Sequence, residues 1–311
     1  MLITMNPIFS NTSVGFKLFI FLGLLLFGAI LGMLIGLIGV AVFFQLPIDQ
    51  IAVNTEGEAG LNMMRMLQIS GQIGLFILPP LAYALLVSKK PFQKIGFISL
   101  KHWGILLAGI AIMFIALPLI HFLGELNLQI KLPEALSGLE NWMLSKEEEA
   151  AVLSERFLSV DTISGLLINL FMVALLPALG EEMVFRGALQ PLFIRLVKNV
   201  HLGIFIAALL FGVMHLQFYG LIPRVLLGLF LGYFYFYSGS LWIPVLMHFL
   251  NNGTAVVVYY LHHNGFIEVE MENFGSVQNQ LYTVFSVLMA IGLIGYARRV
   301  YIKQKATTDL L

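Results

Sequence analysis

The chain has 311 residues, 59% of them hydrophobic and 11% charged, and its mean hydropathy is +0.92. Soluble domains carry about 25% charged residues, so the composition excludes an ordinary soluble protein and indicates a polytopic membrane protein. The 17 basic and 17 acidic residues cancel without a basic run, which argues against a nucleic-acid partner, and the lack of cysteine excludes disulfides, thiolate metal sites and a cysteine nucleophile.

Residues 1–15 are short and mixed, and the first apolar run is too long to read as a cleaved signal peptide. That run, about 18–46, is the first expected span. It carries Gly32-x-x-x-Gly36, a small-residue spacing that lets helices approach closely. An acidic loop with Asp49, Glu56 and Glu58 follows. The second span covers about 64–87, where Pro79-Pro80 predicts a kink. Lys89, Lys90, Lys94 and Lys101 lead into a third span at about 103–123. The longest polar segment, about 124–161, contains Ser145-Lys146-Glu147-Glu148-Glu149 and reads as a solvated helix face, or alternatively as a membrane-surface lid.

Four apolar stretches come next, at about 163–197, 201–218, 221–237 and 241–261. Glu268, Glu270 and Glu272 form another acidic loop, a last span runs over about 281–296, and Arg298, Arg299, Lys303 and Lys305 give a basic tail. Alternation of acidic and basic loops predicts an all-α transmembrane helix bundle of about eight spans with both termini cytoplasmic. The chain divides into 1–160 (N-terminal spans and the acidic segment), 161–265 (a core rich in polar motifs) and 266–311 (acidic loop, last span and tail). Trp103 and Trp242 read as interface anchors, and Gly228-x-x-x-Gly232 as helix packing.

Polar groups inside the apolar stretches mark the candidate site, because an ionisable side chain in a bilayer costs at least about 2–3 kcal/mol. Glu182 and Arg186 are spaced i, i+4 and can pair on one helix face. Glu181 has Phe185 at i+4 and no counter-charge there, which leaves its carboxylate free to face a cavity and act as a general base toward water. His215, on a separate helix with Phe211 one turn earlier, can share that water. His248 and Asn252 share a third helix face and offer donors for an oxyanion. Taken singly, each set also reads as core packing, a structural clasp or interhelical glue. His201, His262 and His263 fall at span ends, where interfacial roles are expected.

The three motifs Glu181-Glu182-x-x-x-Arg186, Phe211-x-x-x-His215 and His248-x-x-x-Asn252, in that order on separate membrane segments, resemble those of the CAAX-protease and bacteriocin-processing (Abi) family. Its eukaryotic members are the Ras-converting prenyl-protein endopeptidases. The resemblance covers about 163–262 and implies an intramembrane endopeptidase. Glu181 and His215 would activate water, His248 and Asn252 would form the oxyanion hole, and Glu182 with Arg186 would support the site. It also raises zinc as a cofactor, with Glu181, His215 and His248 as ligands if they converge, although no His-Glu-x-x-His helix is present. The implied partners are the bilayer and a peptide or lipidated protein substrate, and the expected location is a bacterial cytoplasmic membrane. Two other readings of the same residues are a non-catalytic scaffold or immunity protein and a proton-coupled transporter.

Overall fold

The structure is a computed structural model that describes residues 7–51, 56–268, 274–277 and 279–308. Glu270 and Glu272 of the second acidic loop lie outside the described residues. Those described form helices and loops, with no strand among them.

Helix α1 (Val14–Phe44) starts where the Ser13 side chain accepts from the Phe16 N–H. Its glycine face lies against α2 (Gly57–Val87) so closely that a Cβ on Gly32 would sit 2.6 Å from the Ser70 carbonyl oxygen. Only a hydrogen fits there, and the expected small-residue packing is realised. Pro79-Pro80 leave α2 continuous. A wide, π-type turn at Ile73–Ile77 precedes them and takes up the missing backbone donors.

The third expected span is broken. Helices α3 (Trp103–Ile115) and α4 (Leu117–Leu128) meet at a 48° bend. Pro118 stands at the start of α4, where its ring and lost N–H interrupt the helical ladder. Helix α5 (Ser137–Leu158) is the polar segment, exposed along its glutamate run.

Helix α6 (Ile163–Val197) carries the glutamates and contains wide turns at Leu170–Leu175 and Met183–Leu189. Helix α7 (Val200–Met214) is capped by Asn199 and stops short of the expected 218. Helices α8 (Leu221–Ser238), α9 (Trp242–His263) and α10 (Gln280–Thr308) complete the order, with Gly239 at φ 69° ending α8.

Among the described residues, five helices are long and apolar enough to cross a membrane: α1, α2, α6, α8 with its preceding turn, and α10. Counting the bent α3–α4 pair as one span gives six. Length and composition therefore support fewer spans than the eight expected. With 15 residues, α7 reaches only about 22 Å against a hydrocarbon core of about 30 Å. Helix α9 is long enough but spends His248, Asn251 and Asn252 on polar contacts.

One cluster of buried side chains runs from Phe21 through Tyr83, Ile112, Phe185, Phe211 and Phe234 to Ala290, so α6 to α9 are held from both flanks. Basic residues gather at one end. Burial, then the nearby Arg195 and Lys17, hold the Lys94 ammonium below the usual lysine range. Trp103 and Trp242 are exposed.

Candidate active site

Helix α6 contributes Glu181 and Glu182 just before the wide turn at Met183–Leu189. Adjacent helical residues point about 100° apart, and the two carboxylates face different surroundings accordingly. Glu182 is wholly buried, and its Oε1 accepts from Arg186 Nη1 at 2.8 Å and from His248 Nδ1 at 2.9 Å. The i, i+4 pair expected from the sequence is therefore present, and His248 of α9 joins it. Arg186 is also fully buried. Its Nη2 donates to the Gly228 carbonyl at 2.9 Å, and its guanidinium lies 4.9 Å from the Phe211 ring centre.

The Gly228-x-x-x-Gly232 pair is more than a packing face. Without side chains, these glycines expose carbonyls to buried donors: Arg186 reaches Gly228, and Gln190 Nε2 reaches Gly232 at 3.0 Å. A Cβ on Gly232 would lie 2.9 Å from the Gln190 oxygen.

Glu181 turns the other way. Its Oε2 is buried and has no hydrogen-bond partner among the described residues. His215 Nε2 stands 3.9 Å from it. That gap is too long for a hydrogen bond, and a water can bridge it. His215 lies just beyond the end of α7 rather than within a helix, next to Leu216 at φ 54°. Its Nδ1 donates to the Phe211 carbonyl at 2.8 Å, one of the orphan carbonyls of the helix end. In the neutral ring this leaves Nε2 as an acceptor aimed toward Glu181.

Asn252 donates to the Val173 carbonyl at 3.1 Å and lies 3.3 Å from His248 Nε2. Phe211 ties the halves together, its ring edge-on to both His215 and His248. Glu181, His215 and Asn252 line one cavity of about 270 Å³ together with Gln68, Gln72, Leu153, Phe157, Val173 and Pro177.

The six residues singled out thus fall into two joined groups. Glu182, Arg186 and His248 form a buried ionic knot, whereas Glu181, His215 and Asn252 open to the cavity. Glu181, His215 and His248 do not converge as a ligand set: His248 spends Nδ1 on Glu182 and has Asn252 against Nε2. Among the described residues no group of three or more His, Cys, Asp or Glu side chains is arranged to hold a metal. The residues do not fit the zinc site raised from the sequence.

Sequence reasoning missed the cavity walls contributed by α2 and α5. The signal available was the spacing of Arg65, Gln68 and Gln72, polar residues recurring on one face of an apolar span. Helix α5 closes one side and docks on the loop beside His215. The Trp142 ring lies 5.5 Å from that of Phe218, and Glu147 accepts from the Tyr219 N–H at 3.2 Å. His201 bonds the Tyr233 hydroxyl at 2.8 Å and His263 lies 3.2 Å from Asp161, both at helix ends.

Residues 163–254 match the family model described as type II CAAX prenyl endopeptidase Rce1-like. The chain is also similar to an uncharacterized protein, YpbD, of Bacillus subtilis (strain 168), with 30% identity over 86 residues. That match covers 26% of this chain and 41% of the relative, so the chain spans less than half the length of that protein. No solved structure matches.

Proposed function

We propose, from the match of residues 163–254 to the Rce1-like model of type II CAAX prenyl endopeptidases, that this chain is a membrane-embedded endopeptidase in which Glu181 and His215 activate water. The observation that carries the reading is the Glu181 Oε2, without a hydrogen-bond partner among the described residues, facing His215 across 3.9 Å at the wall of a cavity.

A water in that gap donates one O–H to the carboxylate and the other to His215 Nε2, which raises the nucleophilicity of its oxygen. The oxygen attacks the carbonyl carbon of a peptide bond in the cavity. Glu181 takes the proton released and delivers it to the departing amine. Negative charge develops on the former carbonyl oxygen, and Asn252, on the wall of the same cavity, supplies the amide donor by turning an N–H to it from the Val173 carbonyl. His248 Nδ1 donates to Glu182, itself paired with Arg186, and this fixes the ring whose Nε2 faces Asn252.

The substrate is a peptide or a lipid-anchored, CAAX-type protein tail that reaches the cavity from the bilayer. The eight-span topology with both termini cytoplasmic is part of the same reading, with α7 and α9 as inner helices shielded by longer neighbours. The location proposed is the cytoplasmic membrane of a bacterium.

The test is cleavage of a quenched prenylated peptide, and of an unprenylated control, by purified protein in proteoliposomes. Wild type should cleave, Glu181→Gln should not while unfolding at the same temperature, and a strong chelator should leave the rate unchanged. Undiminished cleavage by Glu181→Gln would reject the assignment, and loss of cleavage with chelator would reject the metal-free water activation.

A further inference from the structure

One end of the bundle carries cations without counter-charges. The stretches 1–48, 59–124 and 183–267 contain no Asp or Glu, and they supply the basic residues at the start of α1, after α2 and at the end of α6. Three of these cations converge. Lys17 stands in the first turn of α1, Lys94 ends the single helical turn Pro91–Lys94 that follows α2, and Arg195 is in the last turn of α6. The helix ends are packed together there: Val14 and Leu18 of α1, Leu86 of α2 and Phe193 of α6 join the cluster that buries Val87 and Leu192. The Phe9 N–H donates to the Leu86 carbonyl at 2.9 Å and ties the N-terminal segment to the same end.

Lys94 is half-buried. Burial, then the charges of Arg195 and Lys17, hold its ammonium below the usual lysine range. Lys17 spends one donor on the Ser10 carbonyl at 2.7 Å, whereas the side chains of Lys94 and Arg195 have no hydrogen bond or ion pair among the described residues. Like charges crowded at a partly desolvated position are costly, and an anion received between them removes the cost. Phe92, 61% exposed, stands two residues before Lys94. Its ring lies 6.5 Å from that of Phe97, which lies 5.0 Å from the exposed Trp242. Exposed aromatic rings beside unpaired cations suit a membrane–water boundary, where lipid phosphates lie, and a free phosphate ester has no use for the aromatic flank.

We infer that Lys17, Lys94 and Arg195 form a binding site for the phosphate headgroup of an anionic phospholipid. The inference is independent of the peptidase reading and needs only the membrane location. The loop that bears Lys94 also touches the helices of the candidate active site. A Cβ on Gly187 of α6 would lie 2.9 Å from the Ile95 carbonyl oxygen, and the Leu241 N–H, next to the start of α9, donates to the Gly96 carbonyl at 2.8 Å. A headgroup held at Lys94 thus steadies the loop against the wide turn that follows Glu181 and Glu182 and against the start of the helix that carries His248.

The site is tested by native mass spectrometry of the purified chain in non-ionic detergent, which gives the dissociation constant of the first lipid bound. Each basic residue near an anionic headgroup is worth about fivefold in binding. Dioleoylphosphatidylglycerol should therefore bind at least about tenfold more tightly than dioleoylphosphatidylcholine, whose choline cation cancels the phosphate charge. Lys94→Gln with Arg195→Gln should bring that ratio to about three or less, whereas Lys89→Gln with Lys90→Gln, exposed on the same loop, should leave it within about twofold. A wild-type ratio near one, a ratio that survives the first pair, or an equal fall with the second pair would overturn the site. Glycerol 3-phosphate at the concentration of the lipid should not displace it; displacement would make the ligand a free phosphate ester and overturn the lipid assignment. If the Lys94 variant does not fold, Arg195→Gln alone, at an exposed side chain, decides: a fall of about fivefold is expected, and one under about twofold rejects the site.

Discussion

Replacing Arg186 with Met removes the positive half of a buried ion pair and leaves a similar volume. Glu182 and Arg186 are 0% and 1% exposed, with their charged atoms 2.8 Å apart. Breaking a buried pair from one side costs about 3–5 kcal/mol, because the remaining charge is stranded. The Gly228 carbonyl loses its donor as well, which adds about 1 kcal/mol. Two effects pull the other way. His248 Nδ1 still donates to Glu182, and in membranes the unfolded reference state finds partners of its own. The expected destabilisation of Arg186→Met is therefore about 3 kcal/mol. Glu182→Gln added to it removes the stranded charge and should recover at least about half of the loss. Unfolding by sodium dodecyl sulfate in mixed micelles, followed by the loss of helical circular dichroism, measures both. An Arg186→Met protein within about 0.5 kcal/mol of wild type, or a double variant as unstable as the sum of the singles, would refute the buried knot.

Gly32→Ala should destabilise the protein by about 1–3 kcal/mol, since its Cβ meets the Ser70 carbonyl, whereas Gly71→Ala, with nothing within 4 Å, should be neutral or stabilising; the same denaturation series checks the pair. Trp142→Ala should loosen α5 from the loop at 218–220 and speed amide hydrogen exchange there by about fivefold without changing exchange in α9. The chain has no cysteine, so single Lys101→Cys and Glu148→Cys variants report topology directly. An impermeant maleimide should label position 148 in intact cells and position 101 only after permeabilisation. Labelling of both from the same side would refute the proposed orientation.

The polar motifs were legible in the sequence because charge in an apolar helix is expensive and therefore conspicuous. Glu181, Glu182, Arg186, His215, His248 and Asn252 do come together, and the i, i+4 rule placed the Glu182–Arg186 pair correctly. Their partners were less legible. His248 pairs with Glu182 across 66 residues of sequence, a contact no local spacing encodes. The end of α7 before His215 and the wide turn after Glu182 are set by packing between helices, not by residue propensity. The bend at Ala116 was readable from Pro118, whereas Pro79-Pro80 predicted a kink where a wide turn absorbed the strain. Gln68 and Gln72 are polar residues visible in an apolar span, but their place on the cavity wall emerged only when α2 was seen to face the site.

The most direct test of water activation by Glu181 and His215 is kcat/KM for Glu181→Gln, His215→Gln and the double variant on one cleavable peptide, each checked for wild-type unfolding. A base and its partner acting on one water form a unit, so each single change should cost about 10²–10⁴-fold and the double change little more than the worse single. Multiplying losses, or a His215→Gln protein as fast as wild type, would contradict a water shared across the 3.9 Å gap.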